Sequence, residues 1–453
     1  MIKTHTSSCV ISRINFSKLS LWLKFSILRA YILMIFLLLS MSSFSQSYRY
    51  AHFCLDTLTS NFMSGRGYQD SGDKKAATFI ANELKYDGAK PIGDTFFQSF
   101  DISINNINSV TLQIEKDTLK TGEDFLVFGS SPSCDLLIEN EKFIAVNSDI
   151  TLKKVKNEKL NNKIIIIKQN EKKLKKGKYL EQRDIFMFLQ RLCIKKIIPK
   201  LVIIQGYDNK LQYPISTVQW NFPVLMLKEN RFSKKIERLY LSIEANYIEK
   251  YQTQNVWAKV EGTKCKDSFF VFTAHYDHLG RCGNAIFKGA ADNASGTSVV
   301  MDLARYFSQH PAEYSILFIF FSGEEIGLLG SEYAATHPLI DLNKIKFLFN
   351  LDMCGTGSGG VAVINGQKEN KAGELLKAIN DEHLYFKTIN LAEESCNSDH
   401  CPFVKRGVAA HFLFTYGCEY NEYHTVYDNG DGLSFTKHID FCNLLKEFVE
   451  KYR

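Results

Sequence analysis

Apolar runs of four to eight residues alternate with amphipathic segments over the second half of this chain. The apolar runs predict strands at Phe269–Tyr276, Ile316–Phe321, Phe347–Met353, Val361–Ile364 and His411–Phe414. Apolar positions spaced three and four residues apart predict helices at Ala294–Ser308, Lys371–Glu382 and Thr436–Tyr452. Buried strands that alternate with such helices are typical of α/β proteins. We therefore predict an α/β fold whose mixed central sheet carries helices on both faces.

The first half of the chain has a different pattern. A helical period covers Asp73–Leu84, with Ser71 or Asp73 as a candidate cap and Gly88 near the stop. From Asn106 to Tyr251, short apolar strands alternate with polar, lysine-rich connections. These strands are Ile164–Ile167, Leu201–Ile204 and Val224–Leu227. The pattern predicts a small, β-rich inserted domain at 106–251 that divides the main domain into 46–105 and 252–453.

The composition of the 453-residue chain agrees with a folded protein of two or three domains. Hydrophobic residues make up 45% and charged residues 23%, which excludes a disordered chain and a small disulfide scaffold. The segment Lys153–Lys178 holds eleven Lys and two Glu, without interleaved aromatic residues or a nucleic-acid motif. We interpret it as the solvated face of the inserted domain and predict no nucleic-acid partner. A patch for anionic surfaces is the alternative.

Residues 1–45 carry five basic side chains and no acidic one, so the formal net charge of +6 falls to about +1 in the remainder. The basic stretch leads into an apolar run at Tyr31–Leu39 and then into small residues at 40–45. This order is that of a secretory signal peptide at 1–45, and we predict cleavage near Ser45 and Gln46. The run is shorter than the ~20 residues that span a bilayer, and an uncleaved membrane anchor is the alternative. We predict an exported protein, periplasmic or secreted, without stable membrane insertion once the signal is removed.

Export makes the cysteines relevant, because disulfides form in oxidising compartments. Ten of the eleven cysteines lie after the predicted signal. Cys396 and Cys401 are five residues apart and flank a short polar segment, so they are the first candidates for a disulfide. Free buried thiols are the alternative for the other eight cysteines.

Side chains that bind metals or protons follow the predicted strands at their carboxyl ends. The segments are His275–His278, Gly289–Gly296, Gly323–Glu325, Asn350–Met353 and Tyr423–Thr425. In α/β sheets ligands bind beyond the carboxyl ends of the strands, so we expect these segments to meet at one sheet edge. Buried carboxylates at that density repel one another unless cations neutralise them. Isolated histidines elsewhere, including His438, have no such setting and are predicted to be structural.

The chemistry of these side chains predicts a metal site. Imidazole and carboxylate ligands without cysteine favour zinc, with manganese and cobalt as the alternatives. One zinc ion needs about three protein ligands, whereas the larger set of candidates suits two metals that share a carboxylate. Asp277 follows His275 by two residues and is expected to orient its imidazole. Of the adjacent Glu324 and Glu325, one is expected to bind metal and the other to act as a base.

Five motifs in order resemble metallopeptidase family 28, the co-catalytic zinc aminopeptidase family that includes secreted bacterial leucyl aminopeptidases. The motifs are His275–Gly280, Gly289–Gly296, Gly323–Ser331, Asn350–Met353 and Tyr423–Thr425. The order and spacing match from about Val256 to the last residue. Gly65-Arg66 and the helix after it resemble the family's amino-terminal lead-in, and 106–251 resembles its protease-associated insert. The resemblance implies a zinc aminopeptidase fold of the phosphorylase/hydrolase-like type.

The resemblance also implies two zinc ions and their ligands. His275 and Asp352 would bind one zinc ion. Glu325 and His424 would bind the other. Asp292 would bridge the two ions.

Further roles follow from the same resemblance. Glu324 would be the general base, and Asp277 would orient the imidazole of His275. A further matching segment at Ser398–Phe403 places Asp399 behind the metal ligands or near the substrate pocket. Tyr416, just after the last predicted strand, is expected to line that pocket.

The chain departs from the family pattern in two places. The family commonly has two adjacent Asp in its glycine loop, and here the first of them is Ala291. The segment after His424 reads Thr425–Asp428 where the family usually has small residues and proline. Neither change removes a predicted ligand, although the second is expected to alter the rim of the pocket.

The implied activity is hydrolysis of the peptide bond next to a free amino terminus by a water that two zinc ions activate. The expected partners are peptides with a free amino terminus. One alternative is a single-zinc glutaminyl-peptide cyclotransferase, and another is a noncatalytic receptor-like domain. Carboxypeptidase or dipeptidase specificity also stays open.

Overall fold

The computed structural model describes residues 29, 48–146, 159–168, 181–206, 210–368 and 370–452. The predicted signal segment lies outside these residues except for Arg29, and so does most of the lysine-rich run at 153–178. Residues Tyr50–Arg453 form one compact unit. Within the described ranges, no helix is both long and apolar enough to cross a membrane.

The secondary structure of the described residues alternates strands and helices along most of the chain. The strands are β1 Lys90–Pro91, β2 Phe97–Ile114, β3 Asp117–Thr118, β4 Phe125–Val127, β5 Cys134–Lys142, β6 Ile144–Val146, β7 Ile164–Lys168, β8 Leu201–Gln205, β9 Val224–Leu227, β10 Lys235–Val260, β11 Cys265–His275, β12 Gly280–Cys282, β13 Ala285–Phe287, β14 Tyr314–Phe321, β15 Ile345–Leu351, β16 Gly360–Ile364, β17 Ile389–Leu391 and β18 Ala410–Tyr416. The helices are α1 at 48–58, α2 Gly72–Tyr86, α3 Gln182–Ile194, α4 Ser295–Gln309, α5 Leu329–Thr336, α6 Asn370–His383, α7 Cys401–Val404 and α8 His438–Lys451.

The main sheet is mixed, as predicted. Its central order is β10-β14-β11-β15-β18-β16. The pairs β14–β11, β11–β15 and β15–β18 are parallel, whereas β10–β14 and β18–β16 are antiparallel. The expected α/β fold with a mixed central sheet is therefore confirmed.

Alternate residues of the central strands pack against helices on opposite faces of this sheet. Phe270 and Phe272 of β11 belong to a core shared with α2, α4 and α8. Phe269 and Val271 point the other way, into a smaller core shared with α5 and α7. Both faces are covered, which explains why the central strands are almost continuously apolar.

A second sheet lies in the predicted inserted domain. Its order is β4-β9-β8-β7-β6, and four of these strands run parallel to one another. Helix α3 adds an amphipathic face that buries Ile185, Phe188, Leu189 and Leu192 in the same core. The predicted strands are present, and the insert also contains this helix, which was not predicted.

Two long antiparallel strands join the two parts of the chain. β2 and β10 pair from Phe97 opposite Val256 to Ile114 opposite Leu239. The predicted boundaries at 105/106 and 251/252 both fall inside these continuous strands. The division into domains stays a prediction. The predicted insert and the main domain are connected by the paired strands β2 and β10 rather than by flexible linkers.

Helix α2 begins one residue before the predicted start. Ser71 precedes it without a side-chain cap, and Asp73 turns instead toward β10. Its carboxylate accepts hydrogen bonds from Tyr251 Oη and Thr253 Oγ1, both at 2.7 Å. Burial raises the pKa of Asp73 to about 6, although these hydrogen bonds oppose the shift. Asp73 therefore connects α2 to β10 through hydrogen bonds, although burial of its carboxyl group is itself unfavourable.

The raised pKa of Asp73 predicts a pH-dependent stability. The folded state binds more protons than the unfolded state between about pH 4 and pH 6, so the contribution of Asp73 to stability is greatest below this window and is lost as the pH rises through it. Two pKa units correspond to about 3 kcal/mol. We expect the free energy of unfolding of the wild type, minus that of Asp73→Asn, to fall by this amount from pH 4 to pH 7.

Urea unfolding at a series of pH values measures this difference. Asp94→Asn is the matched control, because Asp94 is exposed. A difference that does not change with pH would show that Asp73 is not a titrating buried carboxyl group.

Candidate active site

Neighbouring parallel strands bring the predicted segments to one sheet edge. His275 ends β11, and the pair Glu324–Glu325 follows β14 after two residues. Asp352 follows β15 directly, and Asp292 lies in the irregular turn that opens α4. His424 comes from the loop after β18. The structure thus brings these segments together at one edge of the sheet, as their positions at strand ends predict.

One carboxylate contacts both imidazoles of the site. Asp292 Oδ1 lies 3.2 Å from His275 Nε2, and Asp292 Oδ2 lies 3.0 Å from His424 Nε2. Asp352 Oδ1 lies 3.3 Å from the same nitrogen of His275. Glu325 Oε2 lies 3.0 Å from the same nitrogen of His424. The site thus has two similar halves that Asp292 joins.

The donor groups present fit zinc. Each Nε2 atom faces two carboxylate oxygens, although one N–H group donates well to only one of them. His424 Nε2 is buried and, among the described residues, makes no hydrogen bond in spite of the two oxygens at 3.0 Å. A buried nitrogen without a hydrogen bond that faces two carboxylate oxygens is an arrangement that a cation completes. Imidazole with carboxylate is a common ligand set for Zn²⁺.

The adjacent glutamates have pKa values shifted in opposite directions. Burial raises the pKa of the Glu324 carboxyl well above its usual range, and nearby carboxylates, Asp399 foremost, add to the shift. Burial also acts to raise the pKa of Glu325, but the imidazoles of His424 and His278 outweigh it and lower that pKa to about 2. Two carboxyl groups with separated pKa values suit separate tasks. Glu325 is ionised as a ligand must be, and Glu324 has the environment of a proton carrier.

His275 is oriented mainly by a backbone carbonyl group. Its Nδ1 atom lies 3.2 Å from the backbone oxygen of Asp277 and 3.7 Å from Asp277 Oδ1. The Asp277 carboxylate accepts hydrogen bonds from Tyr68 Oη at 3.0 Å and from the backbone N–H of Glu324 at 3.2 Å. Asp277 therefore links the His275 strand to the Glu324 turn, and its orienting role stays a prediction.

The segment around Asp399 lies behind the Asp352 half of the site. Ser398 Oγ donates a hydrogen bond to Asp352 Oδ2 at 2.8 Å. A disulfide joins Cys396 and Cys401 on either side of this segment. Asp399 is fully buried, and neither carboxylate oxygen has a hydrogen bond within the described part of the chain. Burial raises the pKa of Asp399 to about 7, against the attraction of the His275 imidazole.

Tyr416 lies apart from these residues. Its hydroxyl group shares a hydrogen bond of 2.9 Å with Thr388 Oγ1, at the end of the sheet near β16. It is not among the residues that line the large cavity next to His424. No contact among the described residues supports its predicted role in a substrate pocket, and this role stays a prediction.

A buried arginine holds the loop that carries Asp292. Arg66 is fully buried, and among the described residues its guanidinium group donates to backbone carbonyl groups alone. The acceptors are the carbonyl oxygens of Leu58, Tyr276, Lys288, Gly289 and Asp292. Sequence reasoning missed this role, because the only signal was the resemblance of Gly65-Arg66 to a lead-in.

Two further residues around the site were also missed. Asp428 accepts hydrogen bonds from the backbone N–H groups of Ala291 at 2.8 Å and of Asp292 at 3.2 Å. His278 Nδ1 lies 2.5 Å from Glu325 Oε1. Asp428 thus binds the main chain at the position where Ala291 replaces the usual Asp, so the loop is fixed without that carboxylate.

Gly289 permits the tight turn before Asp292. Its φ angle is +59°, a left-handed backbone conformation that residues with a Cβ atom rarely adopt. A Cβ atom at this position would lie 2.1 Å from the backbone oxygen of Asp292 and 2.4 Å from His278 Cδ2. The close approach keeps the loop against the site.

A cavity of about 1000 Å³ lies between the inserted segment and the loop that carries His424. Apolar side chains of the insert, among them Phe186 and Trp220, line one wall. Tyr423 and His424 line the other wall. Phe186 is 46% exposed, which is unusual for a large apolar side chain in a cavity wall. The cavity therefore connects the insert to one half of the metal-binding cluster.

Comparison with known proteins agrees with this geometry. The family model described as "Peptidase family M28" matches residues 255–449. "Aminopeptidase YwaD" of Bacillus subtilis (strain 168) is 24% identical over 355 residues, which are 76% of this chain and 71% of the relative. A "Probable zinc metalloprotease" of Pyrenophora tritici-repentis is 35% identical over 120 residues, which are 25% of this chain and 24% of the relative. In that relative the chain thus matches only about a quarter of the length.

The fold is also that of a solved structure. The crystal structure of BSAP, a zinc aminopeptidase from Bacillus subtilis, has a TM-score of 0.65 at 21% identity and covers 88% of this chain and 94% of that chain. The family match runs from β10 to α8 and includes every predicted metal ligand. The predicted enzyme class, a hydrolase of the metallopeptidase class, is thereby confirmed, and residues 255–449 match peptidase family M28 as the motifs predicted.

Proposed function

We propose that the chain is an exported aminopeptidase that holds two zinc ions and removes amino-terminal residues from peptides. The observation that carries the proposal is the Asp292 carboxylate between two imidazoles, each of which faces a further carboxylate. The relatives support the reaction, because one is an aminopeptidase and the solved structure is that of a zinc aminopeptidase. The predicted signal peptide supports export to the periplasm or the medium.

The two halves of the site define the proposed ligands. His275 and Asp352 would hold one zinc ion, and Glu325 and His424 the other. Asp292, which contacts both imidazoles, would bind both ions. When bound, a zinc pair supplies Lewis-acid activation of a water molecule and of the scissile carbonyl group.

Glu324 is the proposed general base. It is placed on the His275–Asp352 half, where the three side chains offer ligand atoms within 4.8 Å of one another. Its carboxylate would take a proton from the attacking water and return it to the leaving amine. The backbone N–H of Glu324 is fixed by Asp277, so the carboxylate is presented from a rigid turn.

The inserted segment is proposed to form part of the substrate site. Its apolar wall faces Tyr423 and His424 across the cavity, so a peptide bound there would have one end near the metal-binding cluster. Polar side chains such as Arg183 and Gln190 also line the cavity, and apolar surface combined with polar groups is found in ligand pockets. The insert would thus select peptides rather than only shield the cleft.

The reaction is tested with the variant Glu324→Gln, which keeps the shape of the side chain and removes the base. We expect kcat on aminoacyl chromogenic amides to fall at least about 100-fold. Zinc content should stay unchanged, because Glu324 is not one of the proposed ligands. Glu374→Gln, at an exposed glutamate, is the control.

Three outcomes would contradict the proposed function. Full activity of Glu324→Gln would exclude this base. Activity of the wild type that survives complete removal of metal by a chelator would exclude a metal-dependent reaction. Turnover of amino-terminal glutamine to a cyclic product, without cleavage of any aminoacyl amide, would identify the cyclotransferase instead.

Arg66→Lys tests how the Asp292 loop is held. Lysine keeps the positive charge but has three donors in place of the five of the guanidinium group. We expect the variant to fold and to bind zinc about 10- to 100-fold more weakly, as measured by competition with a chelator. The control is Arg281→Lys, since Arg281 pairs with Asp70 on the surface. Unchanged zinc affinity in Arg66→Lys would show that the carbonyl contacts do not shape the site.

Phe186→Ala tests the role of the insert. Loss of the Phe186 ring from the cavity wall should raise KM by about 3- to 10-fold, the equivalent of roughly 1 kcal/mol. This increase applies to peptides that are long enough to fill the cavity. KM for short aminoacyl amides should not change. Met187→Ala is the matched control, because Met187 is 57% exposed on the same helix and does not line the cavity. Equal effects of the two variants on long peptides would argue against a substrate site there.

A further inference from the structure

Three side chains of metal-binding type form a second cluster that shares no residue with the sheet-edge site. Asp302 lies on α4, and His438 and Cys442 lie on α8. All three are buried, with exposed fractions of 3%, 1% and 0% for Asp302, His438 and Cys442. The aminopeptidase mechanism proposed above uses none of them.

The ligand atoms of this cluster are spaced as a tetrahedral metal site requires. His438 Nε2 lies 3.1 Å from Asp302 Oδ2 and 3.4 Å from Cys442 Sγ. Cys442 Sγ lies 3.6 Å from Asp302 Oδ2. With zinc bonds of about 2.0–2.2 Å to N and O and about 2.3 Å to S, tetrahedral angles separate the ligand atoms by about 3.3–3.6 Å. The three observed spacings lie within about 0.2 Å of that range.

The helices explain why these side chains meet. His438 and Cys442 are four residues apart, so they lie one above the other on the same face of α8. That face packs against α4 in the main hydrophobic core, where Asp302 lies opposite. Helix α4 is the one whose amino-terminal turn carries Asp292.

The charges of the cluster suit a divalent cation. A carboxylate and a thiolate carry two negative charges, which one divalent ion neutralises in a buried site.

We propose that Asp302, His438 and Cys442 bind a thiophilic divalent metal of the zinc type, which fastens α8 to α4 as a structural site. A buried water molecule would complete the tetrahedral set. The site gives His438 a role as a ligand, in place of the merely structural role expected from its sequence setting. Loss of the metal would loosen the helix that positions Asp292.

Cobalt distinguishes this site from the sheet-edge site. Thiolate ligation of Co²⁺ produces an intense sulfur-to-metal charge-transfer band in the near ultraviolet, which nitrogen and oxygen ligands do not produce. The proposed ligands of the sheet-edge site include no cysteine. We expect the full chain, stripped of metal and titrated with Co²⁺ without oxygen and without a thiol reductant so that the Cys396–Cys401 disulfide stays intact, to bind one equivalent that shows this band beyond those that fill the sheet edge.

Single substitutions show which residue supplies the thiolate that gives the charge-transfer band. Cys442→Ser should abolish it and lower the bound metal by one equivalent per chain. His275→Ala should weaken the sheet-edge site and leave the band. Cys418→Ser, at an exposed free cysteine, is the control that should also leave it.

Two results would overturn the proposal. One is a wild type without a charge-transfer band, in which the three side chains form only a hydrogen-bonded triad. The other is a band that persists in Cys442→Ser, because the thiolate would then lie elsewhere. If Cys442→Ser does not fold, His438→Gln replaces it as the test. We then expect the band to be lost or shifted in wavelength, and an unchanged band in His438→Gln would also overturn the proposal.

Discussion

Mutual repulsion of carboxylates at one sheet edge is the constraint on which the rest of this molecule depends. Asp292, Asp352, Glu324 and Glu325 converge there in a largely buried setting. The ion pairs of the described residues join these carboxylates to imidazoles and to no lysine or arginine. Two or three imidazoles cannot neutralise four carboxylates at neutral pH and also serve as metal ligands. The fold therefore leaves the positive charge to be supplied by metal ions.

The scaffold stabilises this unfavourable cluster through neutral contacts with the main chain. Arg66 carries a buried positive charge beside the glycine loop, and its hydrogen bonds go to carbonyl groups rather than to the carboxylates. Asp428 and Asp277 likewise accept backbone N–H groups of the loops that present Asp292 and Glu324. The charged groups outside the ligand set thus fix loop geometry, and metal ions remain the means of charge balance.

Much of the fold and the site could be predicted because both depend on local patterns. Apolar runs located strands such as β9 with its observed bounds, and polar residues at strand ends located His275 and Asp352. The strands β2 and β10 escaped prediction because neither has a continuous apolar run: the buried middle of β2 holds the polar Asn105 and Asn106, and the middle of β10 is largely exposed. Their pairing also spans more than a hundred residues. Helix α3 was missed although its buried residues Ile185, Phe188, Leu189 and Leu192 have the i, i+3, i+4, i+7 spacing of an amphipathic helix.

The supporting residues of the site were harder to predict than the ligands. Arg66 acts on atoms more than two hundred positions away, and all of its acceptors are backbone oxygens that no residue type marks. The cluster of Asp302, His438 and Cys442 was missed for the same physical reason, because only the packing of α4 on α8 brings its members together.

X-ray data from crystals of the purified protein, collected above and below the zinc absorption edge, show whether paired metal ions bind beside Asp292. We expect two anomalous peaks at the sheet edge, one on each side of the Asp292 carboxylate and about 3.5–4 Å apart. One peak would lie next to His275 and Asp352, and the other next to Glu325 and His424. A single peak at this edge, or a fully zinc-loaded protein with no peak beside Asp292, would contradict the claim that paired metal ions balance the buried carboxylates.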